Sequence, residues 1–202
     1  VSATGARDYC EALYRRALSV FERGANDARS RRGVFQALSI LGDVLVEHGK
    51  PEAAAPIWQR RLQAHEALAG QEAAALLPTV EGLASVLHDC GAHAAAEAQY
   101  RRALWLAERW RLDAFPALEN LAALLWDAGK LQDAEHAYRN ALSMLDQDHP
   151  DFPAVAHDLA EILFELDQVE DGKKHLAMTM KGYSQHFRPD HPDREAATRR
   201  IA

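Results

Sequence analysis

His88, Cys90 and His93 come closest in this chain to residues that could do chemistry. Two imidazoles and a thiol so near one another can offer three soft or borderline ligands to Zn²⁺. Their setting argues against that use. Cys90 directly precedes Gly91, at a turn that recurs along the chain, and His88 and His93 occupy positions that vary freely in sister segments, with no fourth ligand nearby. His149 and His191 each lie within an Asp-His-Pro-Asp phrase, at 148–151 and 190–193. There Asp and Pro favour a turn and then open a helix, so both imidazoles read as architecture. No Gly-rich phosphate loop, nucleophile elbow, His-Glu-x-x-His or Cys-x-x-Cys occurs. Carboxylates are plentiful, but a general acid or base needs a pocket that shifts its pKa. The expectation is a protein that is not an enzyme and holds neither metal nor cofactor.

The elements that carry these residues repeat. Gly5, Gly49, Gly91, Gly129 and Asp167 are spaced 44, 42, 38 and 38 residues apart. Nine positions after them stand Tyr14, Trp58, Tyr100, Tyr138 and Leu176. Such a period marks a helical repeat array. Before each internal turn comes an aliphatic and a small residue: Leu41-Gly42, Leu83-Ala84, Leu121-Ala122 and Leu159-Ala160. Leu38, Val80, Leu118 and Ala156 precede these pairs, and Leu45, Leu87, Leu125 and Leu163 follow them, at spacings that place all on one helical stripe. After the turn a second stripe runs through Ala54, Ala96, Ala134 and Gly172, then the aromatic position, then Leu62, Leu104, Leu142 and Met180. Two amphipathic helices joined by a Gly turn make a hairpin, and the small residues let its helices approach closely.

This pattern resembles the tetratricopeptide repeat (TPR): Leu-Gly/Ala, an aliphatic or aromatic, Gly, then Ala and an aromatic. Tyr-Arg-Arg-Ala-Leu occurs at 14–18 and 100–104, and Tyr-Arg-Asn-Ala-Leu at 138–142. The repeated Asp-His-Pro-Asp phrase and the long period are similar to the kinesin light chain subtype. The resemblance implies an all-α fold, a right-handed superhelical solenoid of stacked antiparallel helix pairs. It divides residues 1–202 as a single array: a half repeat at 6–23, full repeats at 35–66, 77–110, 115–146 and 153–184, and the start of a truncated helix at 194–202. Arg61 stands where Ala17, Ala103 and Ala141 stand in sister repeats, predicting looser packing there. Asp167, Gly172 and Ala156 depart from the pattern too, so the last full repeat is expected to be the loosest.

Neither end supplies a polar cap of the kind such arrays need, and the chain begins with Val1; the expectation is a segment of a longer protein. No apolar run approaches the ~20 residues that span a bilayer, and Val1–Gly5 does not resemble a signal peptide. Cys10 and Cys90, in different repeats, imply no disulfide framework. A cytoplasmic location follows by default. The net charge of −7 argues against nucleic acid, which demands a dominant basic face.

Family geometry places the first helix of each hairpin on a concave groove. Around the Leu-Gly/Ala pairs this assigns to the groove Asp43, Glu47, Glu81, Ser85, Asp89, Glu119, Asn120, Asp127, His157, Glu161 and Glu165, a strongly acidic ladder. Val46, His88, Trp126 and Phe164 interleave with it as an apolar or aromatic strip. The second helices carry Arg15, Arg16, Arg60, Arg101, Arg102 and Arg139, which should form a basic outer ridge. Both rows also suit ordinary solvated helix faces by propensity alone. The functional reading is a protein-interaction scaffold that grips a basic or amphipathic peptide in the acidic groove. The carboxylate clamp that holds chaperone C-termini needs Lys, Arg and Asn, which the matching rows lack. Kinesin light chain repeats carry Asn pairs before Leu-Ala, and here only Asn120 survives, which speaks against acidic cargo in that style. Two alternatives stand beside this reading: a sensor or autoinhibitory module of a larger protein, and self-association through the terminal helices.

Overall fold

The computed structural model describes residues 3–24, 27–70 and 73–186, with side chains from Glu11 to Gly182 within those ranges. A lone helix α1 (Ala3–Arg23) precedes four hairpins, α2 (Ala28–Glu47) with α3 (Pro51–Ala69), α4 (Leu77–Asp89) with α5 (His93–Trp110), α6 (Phe115–Asp127) with α7 (Leu131–Ser143), and α8 (Phe152–Glu165) with α9 (Val169–His186). A single 3-10 turn, Ala74–Leu76, leads into α4. The segment 194–202 and the second Asp-His-Pro-Asp phrase lie outside the described residues. No strand occurs among those described, and none of their helices is long and apolar enough to cross a membrane.

The helices form two compact units, Val1–Asp113 and Ala114–Ala202. In the first, each of α1 to α4 packs on the helix that follows it; in the second, the same holds for α6 to α8. Within each unit, therefore, contacts are made between sequence neighbours, as in a solenoid. Helix α2 starts well ahead of its apolar stripe because Asp27 caps it, Oδ1 accepting from the Ser30 N–H at 2.8 Å.

The hairpin turn is the same four times. The Lys50 N–H donates to Leu45 O at 2.9 Å while the Gly49 N–H donates to Val46 O at 2.8 Å. Ala92 to Leu87 with Gly91 to His88, Lys130 to Leu125 with Gly129 to Trp126, and Gln168 to Leu163 with Asp167 to Phe164 repeat the pair. This Schellman arrangement puts a left-handed residue just past the helix end. The φ values are 66°, 70° and 71° at Gly49, Gly91 and Gly129, and 60° at Asp167. Asp167 thus takes the glycine's conformation while carrying a Cβ that disfavours it.

Small residues hold the helix axes close. Ala54, Ala84, Ala96, Ala122, Ala134 and Ala160 are wholly buried, as are Leu41, Leu83 and Leu159. Trp58 is larger than the tyrosines of sister repeats, and two glycines make its room. A Cβ on Gly42 would stand 2.9 Å from Trp58 Nε1, and one on Gly82 2.1 Å from Cζ3. Arg61 does not loosen this repeat. Its guanidinium carbon lies 4.1 Å from the centre of the Trp58 ring and 6.0 Å from that of Phe35, and Nη1 is 3.0 Å from Asp43 Oδ1. The arrangement leaves Trp58 Nε1 and Arg61 Nε buried without a hydrogen-bond partner among the described residues. Nor is the last hairpin the loosest. Ala156, Ala160, Leu163 and Leu176 are wholly buried, and the Phe164 ring fills the space over Gly172, where a Cβ would meet its Cε1 at 2.7 Å.

Two stability measurements test these assignments. Asp167→Gly should stabilise the chain by about 0.5–1 kcal/mol in urea melts, whereas Gly129→Ala should cost about 1–2 kcal/mol. Gly82→Ala should destabilise by about 1–3 kcal/mol, because the new methyl overlaps the Trp58 ring and well-packed cores yield poorly; an unchanged melt would contradict that packing.

Candidate functional site

In the unit Ala114–Ala202, first helices α6 and α8 bring several predicted residues together. Trp126, near the end of α6, donates its Nε1–H to Glu165 Oε1 on α8 at 3.0 Å. Closer to the helix starts, Glu119 is half-buried. Burial pushes its carboxyl up, and the carboxylates of Asp151 and Asp158 push it further. The Tyr138 phenol on α7 is hydrogen-bonded to Asp158, and burial, then the charge of Asp158, raises its ionisation well above the ordinary range. His157 Nδ1 stands 3.6 Å from Asp158 Oδ1, and its Nε2 3.6 Å from Glu161 Oε1. Other predicted residues are turned to structural use. Asn120 donates its side-chain amide to Pro116 O at 2.8 Å, and Phe164 packs against Gly172 and Leu176 within its own hairpin. Asp127 is exposed at the end of α6.

The unit Val1–Asp113 repeats part of this arrangement. Glu81 sits one repeat before Glu119, and its carboxyl is likewise raised, by burial and then by Asp113. Tyr100 matches Tyr138: burial, above all, pushes its phenol up to about 12, while a hydrogen bond from Ser85 opposes the shift and Asp89 and Glu81 add to it. Glu47 and Asp89 are exposed, whereas Asp43 is held by Arg61 and so withdrawn from the acidic row. His88 meets His93 edge to face, ring centres 6.0 Å apart. Burial, then Glu52 and Asp89, raises the Cys90 thiol, the opposite of what a thiolate ligand requires. No group of His, Cys, Asp and Glu among the described residues is arranged to hold a metal.

Sequence reasoning passed over Asp113 and Asp151, the acids that crowd Glu81 and Glu119. The signal was there, in an Asp two residues before the Phe that opens α6 and directly before the Phe that opens α8. The arginines of the second helices behave differently from these acids. Arg15 pairs with Glu11, Arg60 with Glu22, Arg101 with Glu97 at 2.7 Å, Arg102 with Glu66 at 2.6 Å and Arg139 with Glu135 at 2.9 Å. The expected basic ridge is therefore largely neutralised pair by pair, while the charges acting on Glu119 are carboxylates.

A pH series checks the Glu119 environment. Its folded-state pKa lies above the ordinary 4.5, so the native protein binds the proton more tightly than the unfolded chain does. Stability then falls as pH rises from the ordinary value through the raised one, and the penalty persists above it. Glu119→Gln should stabilise at neutral pH, with the gain vanishing below the ordinary carboxylate range; a constant gain at all pH values would refute the assignment.

Residues 125–185 match the family model described as tetratricopeptide repeat. Among solved structures, the chain is similar to BtubC (BKLC) from P. vanneervenii, with 18% identity, 97% of this chain and 82% of that one covered, and a TM-score of 0.73. It is similar also to a kinesin light chain protein of nearly identical TPR-like repeats from Podosopora anserina, with 17% identity, 82% of each chain covered and a TM-score of 0.70. MamA shares 15% identity over 90% of this chain and 91% of that one, with a TM-score of 0.68. No curated protein matches the sequence. Identities this low carry the fold alone: all-α, with stacked antiparallel helix pairs.

Proposed function

We propose that this chain, whose residues 125–185 match the tetratricopeptide repeat and whose fold is one of stacked antiparallel helix pairs, is a non-catalytic protein-interaction scaffold whose first-helix face binds a basic or amphipathic segment of a partner. One observation carries the reading: Glu119 is half-buried on the first-helix face, where burial raises its carboxyl and the charges of Asp151 and Asp158 raise it further. A carboxyl held in that state gains from an incoming Lys or Arg, whose charge offsets the neighbouring carboxylates instead of merely adding a surface ion pair. The paired arginines of the second helices offer an acidic ligand no such gain. Trp126, half-buried and fixed by Glu165, supplies a rigid aromatic surface for an apolar residue flanking the cation. The repeated Glu81 and Asp113 pair offers the other unit a similar, smaller preference.

Fluorescence anisotropy with labelled Lys/Leu and Glu/Leu peptides tests this. The basic peptide should bind more tightly, with affinity falling as salt rises. Trp126→Ala and Glu119→Lys should each weaken it by about tenfold or more. No measurable binding of the basic peptide, or basic-peptide binding that responds to neither substitution, would remove the reading.

A further inference from the structure

The unit Val1–Asp113 carries a patch of opposite sign at the start of α2. Arg29, Arg31 and Arg32 are exposed there, and no ion pair joins any of them to a described residue. The nearby acids are already engaged. Asp27 accepts the Ser30 N–H and the Ser30 hydroxyl, each at 2.8 Å, and feels the charge of Arg29 only weakly; Glu22 pairs with Arg60. This contrasts with the second-helix arginines, of which five are matched to carboxylates.

Two of these arginines border a recess of about 620 Å³ between the end of α1 and the start of α2, lined by Phe21, Ala28, Arg29, Arg32, Gly33 and Gln36. Its floor depends on glycine. A Cβ at Gly33 would come within 2.5 Å of Phe21 Cδ1, so only a bare backbone lets the ring lie this close to α2. Arg29, Arg32 and Gln36, at successive turns, share one helix face above that floor.

We propose that this recess docks an acidic segment of a partner protein, with two carboxylates on Arg29 and Arg32 and an apolar side chain on Phe21. Charge complementarity selects the occupant. Guanidinium groups not already bonded to acids accept carboxylates in fork geometry, and the Gln36 amide can meet the peptide backbone. An inorganic anion would leave the Phe21 surface unused. A nucleic acid needs a longer basic track than three arginines on a chain of net charge −7. The site lies in a different unit from the Glu119 and Trp126 face and selects the opposite charge, so it stands independently of the basic-peptide reading.

The test titrates the full chain with a fluorescein-labelled Glu/Leu peptide at low salt. Binding should fall by about tenfold or more in the double variant Arg29→Glu/Arg32→Glu, while Arg29→Lys/Arg32→Lys retains part of it and Trp126→Ala and Glu119→Lys leave it unchanged. Circular dichroism melts establish that the variants are folded; Glu and Lys match Arg closely in helix propensity. Three results would overturn the proposal: no measurable binding by the wild type, binding unaltered in the folded Glu double variant, or competition by inorganic phosphate or a single-stranded oligonucleotide as effective as competition by unlabelled peptide.

Discussion

A left-handed residue one step past each first helix is the constraint on which the rest of this architecture hangs. At Gly49, Gly91, Gly129 and Asp167 the backbone turns through positive φ, and the two crossed hydrogen bonds of each turn return the chain against the helix it has just left. Because the turn has one geometry, the second helix returns in a set register, which brings Trp58 against Gly42 of the preceding helix and Gly172 against Phe164. Close helix packing, and with it the burial of Tyr100 and Tyr138, follows from that register.

Within this frame, size is exchanged between neighbours. Trp58 occupies a tyrosine position and takes up the volume that Gly42 and Gly82 leave; Phe164 does the same over Gly172. The packing density of the core is kept while individual positions vary, which is how repeats of unequal sequence remain stackable. Arg61 shows the exchange extended to a charged residue: its planar head lies on Trp58 and its charge is met by Asp43.

Charge follows a different logic on the two kinds of helix. Arginines on second helices find acids one turn away or on a neighbouring helix, so their contribution to the outer field is small. Glu81 and Glu119 instead lie half-buried beside further carboxylates that come from the approach to the next first helix. Such groups cost stability at neutral pH. They stand at equivalent positions in two successive repeats, and at the start of α2 Arg29, Arg31 and Arg32 are exposed with no ion pair to a described residue.

The sequence by itself determined the helical class and four of the five turn positions, because these depend on local spacing: apolar stripes at three and four, a small residue beside Leu, and a Gly nine residues before an aromatic; the fifth, at Gly5, lies inside α1 instead of in a turn. The resemblance to a repeat family led to the expectation that Glu119, Trp126 and Glu165 share one face, and of these Trp126 and Glu165 are joined by a hydrogen bond between α6 and α8. It did not reveal that Asp43 is taken by Arg61, that Phe164 is spent on Gly172, or that Asp113 and Asp151 crowd the buried glutamates. Those outcomes join residues from different helices, and the distance between such side chains is set by how deep each neighbouring helix lies, a quantity that one strand of letters does not carry. Tertiary packing alone decided which charges are met among the described residues.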